Sequence, residues 1–409
     1  MMKNQNPSPT FNAAVEQVRL AEKYGAHNYH PLPVVIERGR GVWVWDVEGN
    51  KYLDCLSAYS ALNQGHCHPR MVQALRNQAV KLTLTSRAFH NDQMGPYLRK
   101  LCRLCNMEMA LPMNTGAEAV ETAIKTARKW GYTCKGVEPD RAEIIVFSGN
   151  FHGRTTTIVG FSTDPLTRAH FGPFTPGFVV VPYGDLEAVR AAMKPHTVAI
   201  LVEPIQGEAG VVVPPEGFLG GLRQICSENE VLLMADEIQT GLGRTGRLFA
   251  CDHEDVVPDL YILGKALSGG FYPVSAVVSR SAILGVFEPG DHGSTFGGNP
   301  LACALACEAL DILLEEQLAD RAAQLGNYFM QGLREIGSPH VRSVRGKGLL
   351  IGVVVGEESG PARPFCERLQ KRGILCKETH RQVIRFAPPL VIEKEDIDWC
   401  LGHVRQVLS

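Results

Sequence analysis

Lys265 is the first residue whose position suggests chemistry. It follows the short apolar run 260–263 and precedes the glycine-containing stretch ALSGG at 266–270. Ligands of doubly wound α/β folds bind at the edge of the sheet where such strands end. A desolvated lysine there has a lowered pKa and can form a Schiff base with a carbonyl. The alternative is an ordinary loop lysine, which is the commoner role of any single lysine.

Asp236 is the second candidate, because it ends another apolar run, 231–236. Enough chain separates it from Lys265 for one crossover, so both side chains are predicted at the same edge of a sheet. A buried carboxylate needs a cationic or hydrogen-bonding partner, and a protonated pyridine nitrogen is one such partner. A magnesium site of a phosphate-hydrolysing enzyme would need a G-x-x-x-x-G-K-[ST] loop, and the sequence contains none.

The third candidate is the start of a predicted helix at Thr115, Gly116, Ala117 and Glu118. Thr115 and Glu118 have the spacing of a capping box. The N–H groups of the first turn are then free to bind an anion such as a phosphate. A phosphate site, a lysine and a carboxylate together are what an enzyme that uses pyridoxal 5'-phosphate requires.

These residues need an α/β scaffold, and the hydrophobic pattern predicts one. Short apolar runs alternate with segments of helical period, which is typical of a mostly parallel sheet flanked by helices. The predicted strands are 143–147, 178–182, 198–203, 231–236, 260–263 and 274–278. The predicted helices between them are 116–130, 186–193 and 218–228.

The two ends of the chain have different patterns. Residues 41–54 alternate apolar and polar side chains around a glycine, which predicts a β-hairpin. From residue 300 we predict two long helices, two strands within 341–355, a further helix, a strand at 383–386 and a final helix from 394. The predicted domains are therefore an N-terminal segment, 1–58, a large α/β domain, 59–317, and a small α+β domain, 318–409.

Composition excludes several classes of protein. The chain has 409 residues, 45% of them hydrophobic, and a net charge of −2. Its charges are interspersed, so nucleic acid is not an expected partner. No apolar run approaches the roughly 20 residues of a membrane-spanning helix. Residues 1–10 lack the features of a targeting signal and are predicted to be a flexible tail, so we expect a cytoplasmic protein or one whose targeting segment was removed.

The 12 cysteines do not form a convincing metal site. Cys102 and Cys105 are one C-x-x-C pair, but no second pair follows at the spacing that zinc sites use. We therefore predict no metal, and interpret the cysteines as reduced and mostly buried.

The motifs taken together resemble the class III (subgroup II) aminotransferases of fold type I, which use pyridoxal phosphate. The resemblance extends over nearly the whole chain, from YGAHNYHP (24–31) to IRFAPPL (384–390). The motifs between them, in order, are NQGHCHP (63–69), LTLTSRAF (82–89), PMNTGAEA (112–119), VEPIQGEAGVVVP (202–214), ADEIQTGLGRTG (235–246), LGKALSGG (263–270) and HGSTFGGNP (292–300).

The resemblance implies roles for the candidate residues. Lys265 would hold the cofactor as a Schiff base and then move the proton, and Asp236 would bind the pyridinium nitrogen. The other cofactor contacts that the resemblance implies are Thr115, Gly116 and Ala117 on the phosphate, Phe151 on the ring, Gln239 on the phenolic oxygen, and Thr295 from the neighbouring subunit. A homodimer would therefore complete the site.

Within the family, the pocket resembles the branch that transfers the δ-amino group of ornithine to 2-oxoglutarate, giving glutamate 5-semialdehyde and glutamate. Ornithine must keep its α-carboxylate far from the cofactor, whereas glutamate must bring its own close. The resemblance implies that Arg385 binds the near carboxylate and that Glu208 masks this arginine when ornithine is bound. Tyr29 and Arg154 would hold the far carboxylate, and Tyr59 would line the site.

One position departs from that branch. His152 follows Phe151, where the animal enzymes have tryptophan, and histidine is common there in the wider subgroup. The alternative within the family is therefore an enzyme for acetylornithine or 4-aminobutyrate. A nucleotide-binding dehydrogenase would need G-x-G-x-x-G after a strand, and no predicted strand is followed by it. A binding protein that has lost the reaction is disfavoured by the intact Lys265 and Asp236.

Overall fold

The computed structural model describes residues 13–409. The predicted tail, residues 1–10, lies outside this range. The strands are β1 (Ile36–Arg40), β2 (Trp43–Asp46), β3 (Lys51–Asp54), β4 (Met109–Met113), β5 (Glu143–Phe147), β6 (Phe178–Val181), β7 (Thr197–Val202), β8 (Leu232–Asp236), β9 (Leu260–Leu263), β10 (Ser275–Ser279), β11 (Val341–Lys347), β12 (Leu350–Val355), β13 (Ile374–Leu375), β14 (Lys377–Thr379) and β15 (Val383–Phe386).

The helices cover the sheets. They are α1 (Ala13–Tyr24), α2 (Pro69–Ala79), α3 (Met94–Leu104), α4 (Gly116–Thr133), α5 (Thr156–Gly160), α6 (Pro165–Arg168), α7 (Leu186–Ala192), α8 (Phe218–Glu228), α9 (Ser281–Leu284), α10 (Pro300–Glu315), α11 (Leu318–Glu335), α12 (Arg363–Gln370) and α13 (Lys394–Leu408). The predicted helices are confirmed, with ends that differ by at most three residues.

The large sheet has seven strands in the order β4-β10-β9-β8-β7-β5-β6. Strands β5 to β9 pair in parallel. Every residue of β7 is buried, because α4 packs on one face of the sheet and α7 and α8 pack on the other. This arrangement confirms the predicted α/β class and the six predicted strands, each to within one residue at either end.

Strand β10 departs from the expected parallel direction. It runs antiparallel to both β9 and β4. The segment between β9 and β10 contains only a short 3-10 helix, Lys265–Ser268. A parallel return needs a crossover of a dozen or more residues, usually a helix, so this connection returns in the opposite direction.

A smaller antiparallel sheet, in the order β11-β12-β15-β14, forms in the C-terminal part of the chain. It contains the predicted strands and carries Arg385 on β15. The predicted hairpin is also present, as β2 and β3. Strand β13 joins that N-terminal sheet by pairing in parallel with β3, which the sequence did not indicate because two residues have no readable period. The domain limits at residues 58 and 317 stay a prediction.

Two further features bear on the class of protein. In the described range, no helix is long and apolar enough to cross a membrane, and no group of three or more His, Cys, Asp or Glu residues is arranged to hold a metal ion. All twelve cysteines are free thiols, and eight of them are buried.

Candidate active site

The site lies where the carboxyl ends of β7, β8 and β9 meet. Asp236 is the last residue of β8, Glu203 directly follows β7, and Lys265 comes two residues after β9. Because these three strands are parallel neighbours, their ends lie at one edge of the sheet. The side chains line a cavity of about 150 Å³.

The amine of Lys265 lines this cavity and makes no hydrogen bond or ion pair with any residue in the range 13–409. Burial lowers its pKa, and the nearby Arg385 adds to that effect, while Glu208 and Asp236 oppose it. An amine with a lowered pKa is more often neutral near pH 7 and is then nucleophilic.

Asp236 is buried, and two hydrogen bonds hold its carboxylate in place. Oδ2 lies 2.6 Å from Nδ1 of His152, and Oδ1 accepts the N–H of Ile238. Burial lowers the pKa of His152, but the hydrogen bond to Asp236 and the charges of Asp236 and Glu203 outweigh it, so the pKa is raised. The hydrogen bond from His152 fixes the orientation of the Asp236 carboxylate.

Glu203 is a third titratable group in the same wall. It is 8% exposed, and Oε1 accepts the N–H of Phe151 at 2.9 Å. Burial is the main cause that raises its pKa to about 7. The wall behind Lys265 therefore contains two carboxyl groups and one imidazole.

The N-terminus of α4 forms another side of the cavity, through Gly116 and Ala117. Thr115 caps the helix as predicted: its Oγ1 accepts the N–H of Glu118, and the Glu118 carboxylate accepts the N–H of Thr115 at 2.8 Å. A Cβ on Gly116 would lie 3.0 Å from Ile238, so a side chain there would crowd the cavity. Because the cap takes the N–H of Glu118, the N–H groups of Gly116 and Ala117 are the ones left for an anion.

Arg385 and Glu208 form an ion pair at the border of the cavity, with Nη1 of the arginine 2.6 Å from Oε1 of the glutamate. Nε2 of Gln239 donates to the same Glu208 oxygen at 3.0 Å. The opposing positive charge of Arg385 lowers the pKa of Glu208 despite its burial. The predicted pairing of these two side chains is present.

A second cavity, of about 420 Å³, adjoins the first. Phe151 and Glu208 line both cavities, and Arg154 lines only the second. The guanidinium carbon of Arg154 lies 5.6 Å from the centroid of the Phe151 ring. Arg385 lines neither cavity, but it pairs with Glu208, which lines both.

Six of the predicted residues do not line the first cavity. Arg154 lines the second cavity, and Arg385 pairs with Glu208. Thr115 is engaged in the cap, and Tyr59 lies against Arg385. Tyr29 is 65% exposed, and Thr295 is exposed on the surface of its own chain. The structure brings together the other predicted cofactor residues, which are Gly116, Ala117, Phe151, Asp236, Gln239 and Lys265.

Sequence reasoning missed two members of the site, Glu203 and His152. Glu203 ends the apolar run 198–203 in the same way that Asp236 ends its own run, so the signal that indicated Asp236 would have indicated it. The sequence marks His152 only as a departure from the ornithine branch of the family, not as a site residue. Its contact with Asp236 depends on tertiary structure, which the local sequence does not report.

A mostly parallel seven-stranded sheet with a lysine and an aspartate at its carboxyl edge, and a smaller sheet that carries an arginine to that edge, is the arrangement of fold type I transferases. The chain belongs to the class III aminotransferase family, since the model of that family, described as "Aminotransferase class-III", matches residues 24–408.

Named relatives agree with this assignment. The chain is 60% identical over 399 residues to an ornithine aminotransferase of Geobacillus sp. (strain WCH70), covering 98% of this chain and 100% of the relative. The ornithine aminotransferase structure from Toxoplasma gondii ME49 superposes with a TM-score of 0.96, at 46% identity, over 98% of this chain and 96% of that one. An acetylornithine aminotransferase structure from Elizabethkingia anophelis has a TM-score of 0.88 and 49% identity, over 97% and 98% of the two chains.

Proposed function

We propose that the chain is a pyridoxal-phosphate-dependent ornithine δ-aminotransferase, which converts L-ornithine and 2-oxoglutarate to glutamate 5-semialdehyde and L-glutamate. The observation that carries the proposal is the ion pair between Glu208 and Arg385 at the border of the lysine cavity. A second support is that relatives about 60% identical over nearly the full length bear the name ornithine aminotransferase.

The residues present fit pyridoxal phosphate. The cavity offers the amine of Lys265, which has no partner among residues 13–409, a buried carboxylate at Asp236 and the open N-terminus of α4 at Gly116. These groups would hold the carbonyl carbon, the pyridinium nitrogen and the phosphate, respectively. When bound, the cofactor supplies an electron-withdrawing ring that carries the amino group between the two substrates.

The chain's own groups would do the remaining work. Lys265, with its lowered pKa, would take a proton from the substrate carbon and return it elsewhere. Asp236, oriented by His152, would keep a positive charge on the ring nitrogen. Phe151 would cover one face of the ring, and Gln239 would contact its phenolic oxygen.

Substrate choice would follow from the two arginines. With Glu208 paired to Arg385, the near arginine does not attract the α-carboxylate of ornithine, which is left to Arg154 and Tyr29 at the far end. When 2-oxoglutarate or glutamate binds, Glu208 would leave and Arg385 would form a bidentate pair with the near carboxylate. One cavity would then serve two substrates of different shape.

A homodimer is part of this proposal. Thr295 is exposed and does not line the cavity of its own chain. The next residue, Phe296, is 45% exposed. Phe89, from a distant part of the sequence, is 72% exposed. Large exposed apolar side chains are typical of surfaces that meet a partner. Thr295 would reach the phosphate in the partner subunit.

The test is steady-state turnover with 2-oxoglutarate as the acceptor and ornithine, N-acetylornithine or 4-aminobutyrate as the donor. We expect the highest kcat/KM for ornithine, with a product that cyclises to pyrroline-5-carboxylate. A higher kcat/KM for N-acetylornithine or 4-aminobutyrate would overturn the proposal and favour another branch of the family.

A further inference from the structure

Residues 57–60 form a left-handed turn beside the site. The φ angles of Ser57, Ala58, Tyr59 and Ser60 are 51°, 49°, 62° and 70°. Left-handed backbone is unfavourable for L-residues other than glycine, and four such residues in a row are rare. Such a turn persists only when surrounding contacts hold it, and its usual location is a functional site.

Asp54 is the side chain that holds the start of the turn, which backbone hydrogen bonds from Ser60 to Leu56 and from Ala61 to Ser57 then close. Its Oδ1 accepts the N–H groups of Leu56 and Ser57, both at 2.9 Å. The serine side chains of the turn make no such hydrogen bonds. The hydroxyl groups of Ser57 and Ser60 are buried and have no hydrogen-bond partner in the described part of the chain. The carboxylate is 7% exposed, so both bonds are shielded from water.

His66 fixes the other oxygen of Asp54, with Nε2 2.8 Å from Oδ2. The backbone of His66 exchanges two hydrogen bonds with Gly41. A Cβ on Gly39 would lie 2.7 Å from the imidazole ring, so a glycine is needed where the ring packs. His66 belongs to the motif NQGHCHP, to which the proposed function gives no role.

The turn presents Tyr59 to Arg385. The guanidinium carbon lies 5.1 Å from the centroid of the Tyr59 ring. Arg385 is 1% exposed, and its Nε has no hydrogen-bond partner in the described range. The ring therefore supports the guanidinium through a cation–π contact, and this contact remains when Glu208 leaves.

We propose that Asp54 and His66 are positioning residues for the carboxylate of 2-oxoglutarate: they hold the left-handed turn so that Tyr59 keeps the Arg385 guanidinium in place. This inference rests on the proposed function. It predicts that loss of Asp54 weakens 2-oxoglutarate through the same step as loss of Tyr59, because Asp54 acts through the turn that presents Tyr59 to Arg385.

The test measures KM for 2-oxoglutarate in Asp54→Ala, Tyr59→Ala and the double variant. We expect each single variant to raise this KM about 5- to 30-fold, the range that a cation–π contact supports. The double variant should be no worse than Tyr59→Ala alone, because Asp54 acts through Tyr59.

Asp46→Ala is the matched control. Asp46 is also a buried carboxylate of the N-terminal sheet, and its Oδ1 accepts the N–H groups of Glu48 and Asn50. It should lower Tm without changing KM for 2-oxoglutarate selectively. If Asp54→Ala leaves KM for 2-oxoglutarate unchanged, or if its effect multiplies with that of Tyr59→Ala, the inference is wrong.

Two further variants keep the inference testable if Asp54→Ala does not fold. Asp54→Asn retains one oxygen for the two N–H groups and should have an intermediate KM for 2-oxoglutarate. Ala58→Gly relieves the left-handed backbone at an exposed position and should raise Tm by about 2–4 °C; a lower Tm would show that the turn is not strained.

A chain that rejects ornithine but accepts glutamate refutes only the proposed function, whereas one that does not use 2-oxoglutarate refutes both.

Discussion

The carboxylate of Glu208 lies 2.6 Å from the guanidinium of Arg385, and this arginine is almost completely buried. A buried charge that loses its partner is strongly destabilised. We therefore expect Glu208 to leave Arg385 only when another carboxylate replaces it. In the proposed function, the pair would mask Arg385 from ornithine and would open for the near carboxylate of 2-oxoglutarate or glutamate.

The first prediction concerns this mask. In Glu208→Gln the side chain keeps its size but not its charge, so Arg385 should attract the α-carboxylate of ornithine. We expect kcat/KM for ornithine to fall about 10- to 100-fold, as for loss of a charged hydrogen bond, while the glutamate half-reaction changes less than about threefold. Rapid kinetics of the two half-reactions would measure both values.

Glu187→Gln is the control for that variant, since Glu187 is a highly exposed glutamate on α7. It should leave both half-reactions unchanged. Equal losses in the two half-reactions of Glu208→Gln would contradict the masking role.

The second prediction concerns Lys265. Lys265→Ala removes the amine that faces the cavity, and we expect turnover to fall at least about 10³-fold, within the range for loss of a general base. The purified protein should be yellow, and the variant should lose the absorbance that depends on the lysine. Lys347→Ala, at a lysine outside this cavity, is the control. Residual activity near that of the unchanged chain would show that another group does the chemistry.

Much of this site could be predicted from the sequence, because its residues follow strand ends. Asp236 ends one apolar run and Lys265 closely follows another, and the length and composition of these runs indicate buried parallel strands. The helix cap at Thr115 is also a local pattern. Local patterns of this kind depend on residues a few positions apart.

The remainder depends on contacts between distant segments. The hydrogen bond from His152 to Asp236 joins residues 84 apart, and β13 pairs with a strand more than 300 residues away. The left-handed turn at Tyr59 has no glycine to mark it. Only tertiary packing specifies these features, so no local pattern in the sequence reports them.

The third prediction concerns Glu203, whose pKa is raised by burial from 4.5 to about 7. Between about pH 4.5 and 7 the folded chain holds a proton that the unfolded chain has lost, so the free energy of unfolding falls as pH rises through this window. It levels off above pH 7. The total cost is about 3 kcal/mol.

Glu203→Gln does not titrate, so Tm of the variant minus Tm of the unchanged chain should rise between pH 5 and 7 and then stay constant. Thermal unfolding of both proteins across pH 5–8.5 would measure this difference. Glu187→Gln, at a side chain that is 90% exposed, is the control for removing one carboxylate at the surface. A difference for Glu203→Gln that falls as pH rises would contradict the assigned direction of the pKa.

The last prediction tests whether Thr295 acts across the dimer. Thr295→Ala should weaken cofactor affinity about 10- to 100-fold, as for a lost hydrogen bond to a charged group, although Thr295 lies outside its own chain's cavity. In a hybrid of one Thr295→Ala subunit and one Lys265→Ala subunit, one site combines an intact Lys265 with the partner subunit's Thr295. That site should be fully active at low cofactor concentration, although neither parent dimer is. If Thr295 served its own subunit instead, the hybrid would contain no intact site and would stay as weak as its parents.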